Sequence, residues 1–256
     1  MSMINIAERH KYILDRLAEK GYVNVIDLCK ELDVSGVTIR KDLKLLEDKA
    51  LLFRSHGGAT VNNPYINDKP VNEKEKLRRD EKNLIGAAAA TLIAHNDAII
   101  ISSGTTALAL ARNIHPKGHL TVITPALNVA QELLRYPEIE VLQLGGIVRN
   151  SSSSVTGNYA ERILADFSCS KLFLGLEGID IEFGLTTTNL MEAQLNQRMV
   201  AAAQKTIVIA DSSKFGRRGF GKICGLEDID EIITDSGISA HIVKAVEEMG
   251  INVTIV

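Results

Sequence analysis

From Asp97 to the end of the chain, short β-rich runs alternate with stretches of helical period, and this pattern leaves few folds open. The runs are 98–102, 120–124, 140–144, 171–175, 206–210, 231–234 and 252–256, and helical stretches fall near 105–114, 126–136, 159–167, 190–203 and 239–249. Regular alternation of strand and helix argues for a mostly parallel sheet with helices on both faces. Runs such as AIIIS and TIVIA are continuously apolar, as strands covered on both faces must be. The four serines 151–154 between two such runs read as a mobile loop.

The first sixty residues follow another plan. Residues 6–20 carry Ile6, Ile13, Leu14 and Leu17 on one helical face, and Gly21 is a stop signal. Tyr22-Val23-Asn24 is a short extended piece. A second helix over 25–32, a turn at 33–36 and a third helix in VSGVTIRKDLKLLE follow, with Ser35 as N-cap and Ile39, Leu43 and Leu46 on one face. The opposite face offers Thr38, Arg40, Lys41 and Lys44, side chains able to meet phosphates or the guanine edge in a duplex major groove. Residues 50–60, ALLFRSHGGAT, supply a strand and a Gly57-Gly58 tip with Arg54 and His56 beside it. This order is that of a winged helix-turn-helix.

Charge in bulk does not argue for nucleic acid. The chain carries a net −3, and its first 57 residues hold ten Lys/Arg against nine Asp/Glu. Placement argues for it instead, since five of those ten cations lie between Arg40 and Arg54. Residues 61–71, VNNPYINDKPV, read as a linker. Residues 72–94 read as one helix, charged at first and Ala-rich later. Arg78 and Arg79 on it could also meet DNA or a partner subunit.

Three separated cysteines, Cys29, Cys169 and Cys224, point to free thiols in a reducing compartment, and the longest apolar run, 84–94, is too short for a bilayer. The expectation is a soluble, cytoplasmic protein. No cofactor is implied. His115 and His119 are separated by Pro116 and Gly118, which deny them a common helical face, so no metal site is expected.

In parallel sheets, ligands sit beyond the carboxyl ends of strands, and anions favour helix N-termini. Ser102-Ser103-Gly104-Thr105-Thr106 lies between a strand and a helix, with hydroxyl donors around a glycine that lets a ligand approach the backbone. Gly145-Gly146, GLEGID (175–180) and DSSKFG (211–216) follow other strands, and Lys214 is the natural counter-charge for a phosphate. Thr186, within 184–188 ahead of another helix, belongs to a second candidate anion cap.

VSGVTIRKDLKLLE followed by FRSHGGAT resembles the N-terminal signature of DeoR-type bacterial transcriptional regulators. The resemblance extends through GTT (104–106), LGG (144–146), Gly157, Glu192 in MEAQLNQRM and DSSKFG. It implies a small winged helix-turn-helix domain (1–60), a linker (61–71) and an α/β sensor domain (72–256). The sensor would have a mostly parallel sheet similar to ribose phosphate isomerases and CoA transferases.

It also implies a repressor of a carbohydrate or polyol operon. Double-stranded operator DNA would meet Ser35, Gly36, Val37, Thr38, Arg40, Lys41, Lys44, Arg54 and His56. A phosphorylated sugar or polyol would meet Ser102, Ser103, Gly104, Thr105, Thr106, Gly145, Gly146, Thr186, Glu192 and Lys214. A paired operator needs at least a dimer, so a homo-oligomer, dimer or tetramer, is expected.

The chain departs from the family pattern at four places. Lys41 stands where Arg is more usual, Ala50 where a helix-ending Gly is, Ser102 where many sensors have Asp, and Thr124-Pro125-Ala126 where Thr-Asn-Ser is. Losing the carboxylate at 102 removes an acceptor for sugar hydroxyls. The alternative reading is a sugar-phosphate isomerase-like enzyme with an added DNA-binding head, in which Glu192 would be the base. Against it, carboxylates beyond Glu192, Glu177 and Asp180 are not well placed, and the Lys-Gly-Gly-Gly stretch of those isomerases is absent.

Overall fold

A computed structural model describes residues 5–49, 51–55, 57–60 and 70–256. Ala50, His56 and most of the expected linker, 61–69, lie outside the described residues. The chain divides into two compact units, Met1–Asn67 and Asp68–Val256.

In the first unit, α1 (Ile6–Lys20), β1 (Tyr22–Asn24), α2 (Val25–Leu32), α3 (Gly36–Asp48), β2 (Phe53–Ser55) and β3 (Gly58–Thr60) appear in the expected order. The helix ends follow local chemistry. Asn5 and Glu8 form a capping box at the start of α1, Gly21 closes it in the left-handed region at φ 71°, and the Asn24 side chain caps α2. Ile13, Leu17, Leu28, Ile39, Leu43, Leu46 and Leu52 are fully buried together. Each contributes roughly 2 kcal/mol of hydrophobic stabilisation. Ile6, expected inside, is exposed.

The three strands form an antiparallel sheet in the order β1-β3-β2. Gly58 is required there, because a Cβ would stand 2.0 Å from the Val23 carbonyl oxygen. Gly58 is therefore a packing requirement of this sheet, while Gly57, at φ 81°, has open space around it.

The second unit opens with α4 (Val71–Lys76) and α5 (Arg79–Thr91). The single helix expected over 72–94 is thus broken: Leu77 is extended and Arg78 lies in the left-handed region at φ 50°. Seven parallel strands follow: β4 (Asp97–Ile101), β5 (Leu120–Thr124), β6 (Ile139–Gln143), β9 (Cys169–Leu174), β12 (Ala203–Ile209), β14 (Glu231–Thr234) and β15 (Asn252–Ile255). They form one sheet in the order β15-β14-β12-β9-β4-β5-β6.

Alternate residues face opposite sides, as the strand period demands. Ile99, Ile101, Phe173, Ile207 and Ile209 pack under α5, α6 (Thr105–Asn113) and α7 (Leu127–Leu133). Ile100, Leu172, Leu174, Val208 and Ile232 pack with α8 (Asn158–Leu164), α9 (Leu190–Ala201) and α10 (Ala240–Glu247). At Gly86 a Cβ would meet the Ala109 carbonyl carbon at 2.6 Å, so glycine permits the close approach of α5 to α6.

Two antiparallel additions were not legible in the periodicity. A ribbon of β7 (Ile147–Arg149) and β8 (Ser154–Thr156) follows β6. A small sheet of β10 (Gly178–Asp180), β11 (Gly184–Thr187) and β13 (Gly221–Cys224) flanks the carboxyl ends of β9 and β12. Residues 151–154, expected as a mobile loop, are engaged: Ser154 is buried in β8, the Ser153 carbonyl accepts from Leu127, and the Ser151 carbonyl from Val71.

Candidate functional site

On α3 the groups that the helical period turns outward are the ones exposed to solvent. The Ser35 hydroxyl accepts from the Thr38 amide at 3.2 Å and lies 3.0 Å from the Thr38 hydroxyl, fixing the start of the helix. Val37, Arg40, Lys41 and Lys44 are exposed, while Ile39, Leu43 and Leu46 are buried beneath them. Among the described residues, no ion pair is formed by Arg40, Lys41 or Lys44. A Cβ on Gly36 would come within 3.2 Å of the Arg40 guanidinium and 3.8 Å of Cys29 Sγ, so residue 36 limits where Arg40 can lie.

Two features adjust the picture. Arg54, expected on DNA, is engaged with α3: its Nε donates to Glu47 at 2.6 Å and its amide donates to the same carboxylate at 2.9 Å. The guanidinium braces the β2–β3 wing while remaining 43% exposed. Asp42, missed in the sequence, is buried at 2% exposure, and accepts from Arg9 at 2.8 and 3.1 Å with His10 at 3.3 Å. An acidic residue amid the basic stretch reads as a solvated charge; only the approach of α1 reveals it as the tie that orients α3.

In the second unit the strand order reverses between β4 and β9. From β4 the chain steps to β5 and β6 on one side, and from β9 to β12, β14 and β15 on the other. A crevice beyond the carboxyl ends at such a switch point is the expected ligand position. The 102–106 loop lies there. Gly104, at φ 122°, precedes α6, which has no side-chain cap, and a Cβ on Gly104 would meet nothing within 4 Å. The first-turn amides of α6 and the part-exposed Ser103 and Thr105 thus border open space, whereas Thr106 is largely buried.

Some expected effector contacts do other work. Ser102 is fully buried, and its hydroxyl accepts from the Gly175 amide at 2.7 Å, stitching the end of β4 to that of β9. Thr186 is buried in β11; its hydroxyl donates to the Gly178 carbonyl at 3.1 Å and accepts from the Gly219 amide at 2.7 Å. The helix after it is capped by Asn189, so the anion cap expected at 184–188 is not formed there. Gly145 is exposed with open space around it. Gly146, at φ 155°, admits the Thr156 carbonyl oxygen 2.5 Å from where its Cβ would be. Glu192, at 9% exposure, faces Arg149 Nε at 3.2 Å and accepts from the Thr187 hydroxyl at 3.4 Å.

Lys214 sits in a charged cluster that sequence spacing could not disclose. Its ammonium donates to Glu177 Oε2 at 2.6 Å, and Lys74 on α4 donates to Oε1 of the same carboxylate at 2.7 Å. Burial pushes the Glu177 carboxyl up, but the two lysines outweigh it and hold it at about 2 against an ordinary 4.5. The buried Lys82 ammonium donates to the carbonyls of Lys74 and Leu77, both at 2.6 Å. Arg78 lies 3.7 Å from Asp211 and 3.9 Å from Asp235. Asp235 accepts from the Ser212 amide at 2.6 Å and its hydroxyl at 2.8 Å.

Similarity to known proteins covers both units. Residues 9–65 match a DeoR-like helix-turn-helix domain and residues 77–236 the DeoR C-terminal sensor domain. The chain is 37% identical to the HTH-type transcriptional regulator YulB of Bacillus subtilis, over 98% of this chain and 97% of that one. It is 34% identical to the HTH-type transcriptional regulator GolR of Listeria innocua, over 97% and 98%. It is 31% identical to the transcriptional repressor AccR of Agrobacterium fabrum, over 90% of each. Among solved structures, ribose 5-phosphate isomerase A of Methanocaldococcus jannaschii is similar over 54% of each chain, at 16% identity and a TM-score of 0.39. With an outward cationic helix and wing in one unit, a parallel sheet whose strand order reverses in the other, and relatives that are regulators along almost their whole length, the chain belongs to the DeoR family of DNA-binding transcriptional regulators.

Proposed function

We propose that the chain is a cytoplasmic repressor of a carbohydrate or polyol operon, released from its operator when a phosphorylated sugar or polyol enters the crevice between β4 and β9. The observation that carries this reading is the loop at 102–106. An uncapped helix N-terminus, a glycine facing open space and part-exposed hydroxyls meet at the switch point of a parallel sheet. Such a place suits an oxyanion, and Lys214, in the loop after β12, is the cation we assign to it.

On the DNA side, Arg40, Lys41 and Lys44 anchor α3 on phosphates and guanine edges. Gly36, Val37 and Thr38, at its start, select sequence. Reading a paired operator requires at least a homodimer. The effector can weaken DNA binding only by favouring a conformation or oligomer that holds DNA less well.

The test combines two measurements on the full chain. Thermal-shift screening of phosphorylated and plain sugars and polyols should find a phosphorylated compound that raises the melting temperature, and that compound should release operator DNA. Lys214→Ala should keep operator binding and lose the response. Stabilisation by a plain sugar alone, or a normal response in Lys214→Ala, overturns the reading.

A further inference from the structure

Glu177 bridges two ammonium groups that come from distant parts of the chain. Lys74 belongs to α4, the first helix of the sensor unit and outside the segment that matches the sensor family, while Lys214 follows β12. Each lysine takes one oxygen of the carboxylate, at 2.7 and 2.6 Å. A phosphoryl group presents oxygens in a similar arrangement but carries about −1.5 to −2 charges. Two lysines therefore attract it more strongly than they attract a carboxylate.

The charge of the two lysines favours such an exchange. Lys74 and Lys214 both turn their ammonium groups on Glu177, while Arg78 lies against Glu81, Asp211 and Asp235, and Lys82 is near Asp211 and Glu75. If the Glu177 carboxylate leaves, two ammonium groups lose the partner between them, and a phosphoryl dianion brings a charge that matches the pair. Glu177 also has a route out, since its side chain is 25% exposed.

We infer that Lys74 and Lys214 form one two-lysine anion site that Glu177 fills from within, and that a phosphoryl group binds by displacing the Glu177 carboxylate, making Lys74 an effector-contacting residue. This rests on the reading of Lys214 as the effector's phosphate partner. It adds a ligand contact on the helix that the chain enters directly after residues 61–69. The α4 backbone is tied to the same cluster, because Lys82 holds the carbonyls of Lys74 and Leu77. Exchange of a carboxylate for a phosphoryl group is therefore felt at the start of the sensor unit, where a two-state response could be biased.

The experiment is calorimetric titration of the full chain with inorganic phosphate and with glucose 6-phosphate at constant ionic strength. Circular dichroism checks the fold of each variant. Glu177→Gln, which keeps the shape and removes the competing charge, should bind phosphate about tenfold more tightly, within the ordinary range of coupling energies. Lys74→Met should bind about tenfold more weakly, and Lys74→Arg should restore most of the loss.

Unchanged or weaker binding by Glu177→Gln, or no binding by either it or the wild type, overturns the inference. Normal affinity in Lys74→Met with lost affinity in Lys214→Met also overturns it, yet leaves the effector reading standing. Binding that survives Lys214→Met removes the effector reading itself.

Discussion

The cations of α3 and those of the sensor's Glu177 cluster are kept in opposite states. On α3, Arg40, Lys41 and Lys44 project from the helix with no carboxylate held against them among the described residues; of its acidic groups, Asp42 is turned inward to α1 and Glu47 holds Arg54. In the sensor, Lys74, Lys82 and Lys214 are already engaged, two by Glu177 and one by backbone carbonyls. The contrast follows from solvent. Exposed ammonium and guanidinium groups are well hydrated without a partner and gain from releasing counterions when a polyanion arrives. Half-buried lysines lose hydration and need internal partners, so a ligand there must compete with them.

The comparison can be broken at several points, and Asp42 should give the largest effect. Asp42→Ala removes the buried partner of Arg9 and should destabilise the first unit by about 3 kcal/mol, the range for breaking a buried pair. Denaturant unfolding should show loss in that unit only. An equal loss in the sensor's transition would deny that the two units are separate.

Acid should act on the other side. Glu177, held at about 2, gives stability that is fully present above its unfolded value near 4.5 and is lost as pH falls from there toward 2. Allowing for its partial exposure, about 2 kcal/mol should disappear over that window and should not disappear in Glu177→Gln. An identical acid profile in the variant would show that the carboxylate is not held by its lysines.

Smaller effects are expected on α3. Arg40→Ala should weaken binding to an operator selected from random DNA by about 1.5 kcal/mol without changing the melting temperature. Titration at fixed salt measures it. Lys44→Ala should cost about 1 kcal/mol and lower the slope of log affinity against log salt by about one, as for a single phosphate contact. A sequence-dependent loss from Lys44→Ala would move it from anchoring to base reading.

Local chemistry was sufficient for much of the molecule. Ser35, Gly21 and the spacing of Ile39, Leu43 and Leu46 set the helices of the first unit, because caps and a 3.6-residue period act within one or two turns. Short β-rich runs marked all seven parallel strands, and in AIIIS and TIVIA the apolar run is continuous, since a strand covered on both faces has no polar side to interrupt it. Gly104 before α6 was legible for the same local reason.

Groups whose meaning depends on partners far along the chain were not legible. Asp42 reads as a surface charge until Arg9, thirty-three residues earlier, closes on it. Ser102 and Thr186 read as ligand hydroxyls until the amides of Gly175 and Gly219 claim them. The β7–β8 ribbon and the β10-β11-β13 sheet are too short to show a period, and their pairing is fixed by register with other strands.

The sequence by itself determined the two units, the seven parallel strands and the helix with an outward cationic face, because propensity, capping and hydrophobic period are short-range effects. Only the tertiary structure decided which charges are satisfied internally and which stand open. Desolvation and pairing depend on what the fold brings within 3 Å, and no spacing along the chain encodes that Lys74, Glu177 and Lys214 meet.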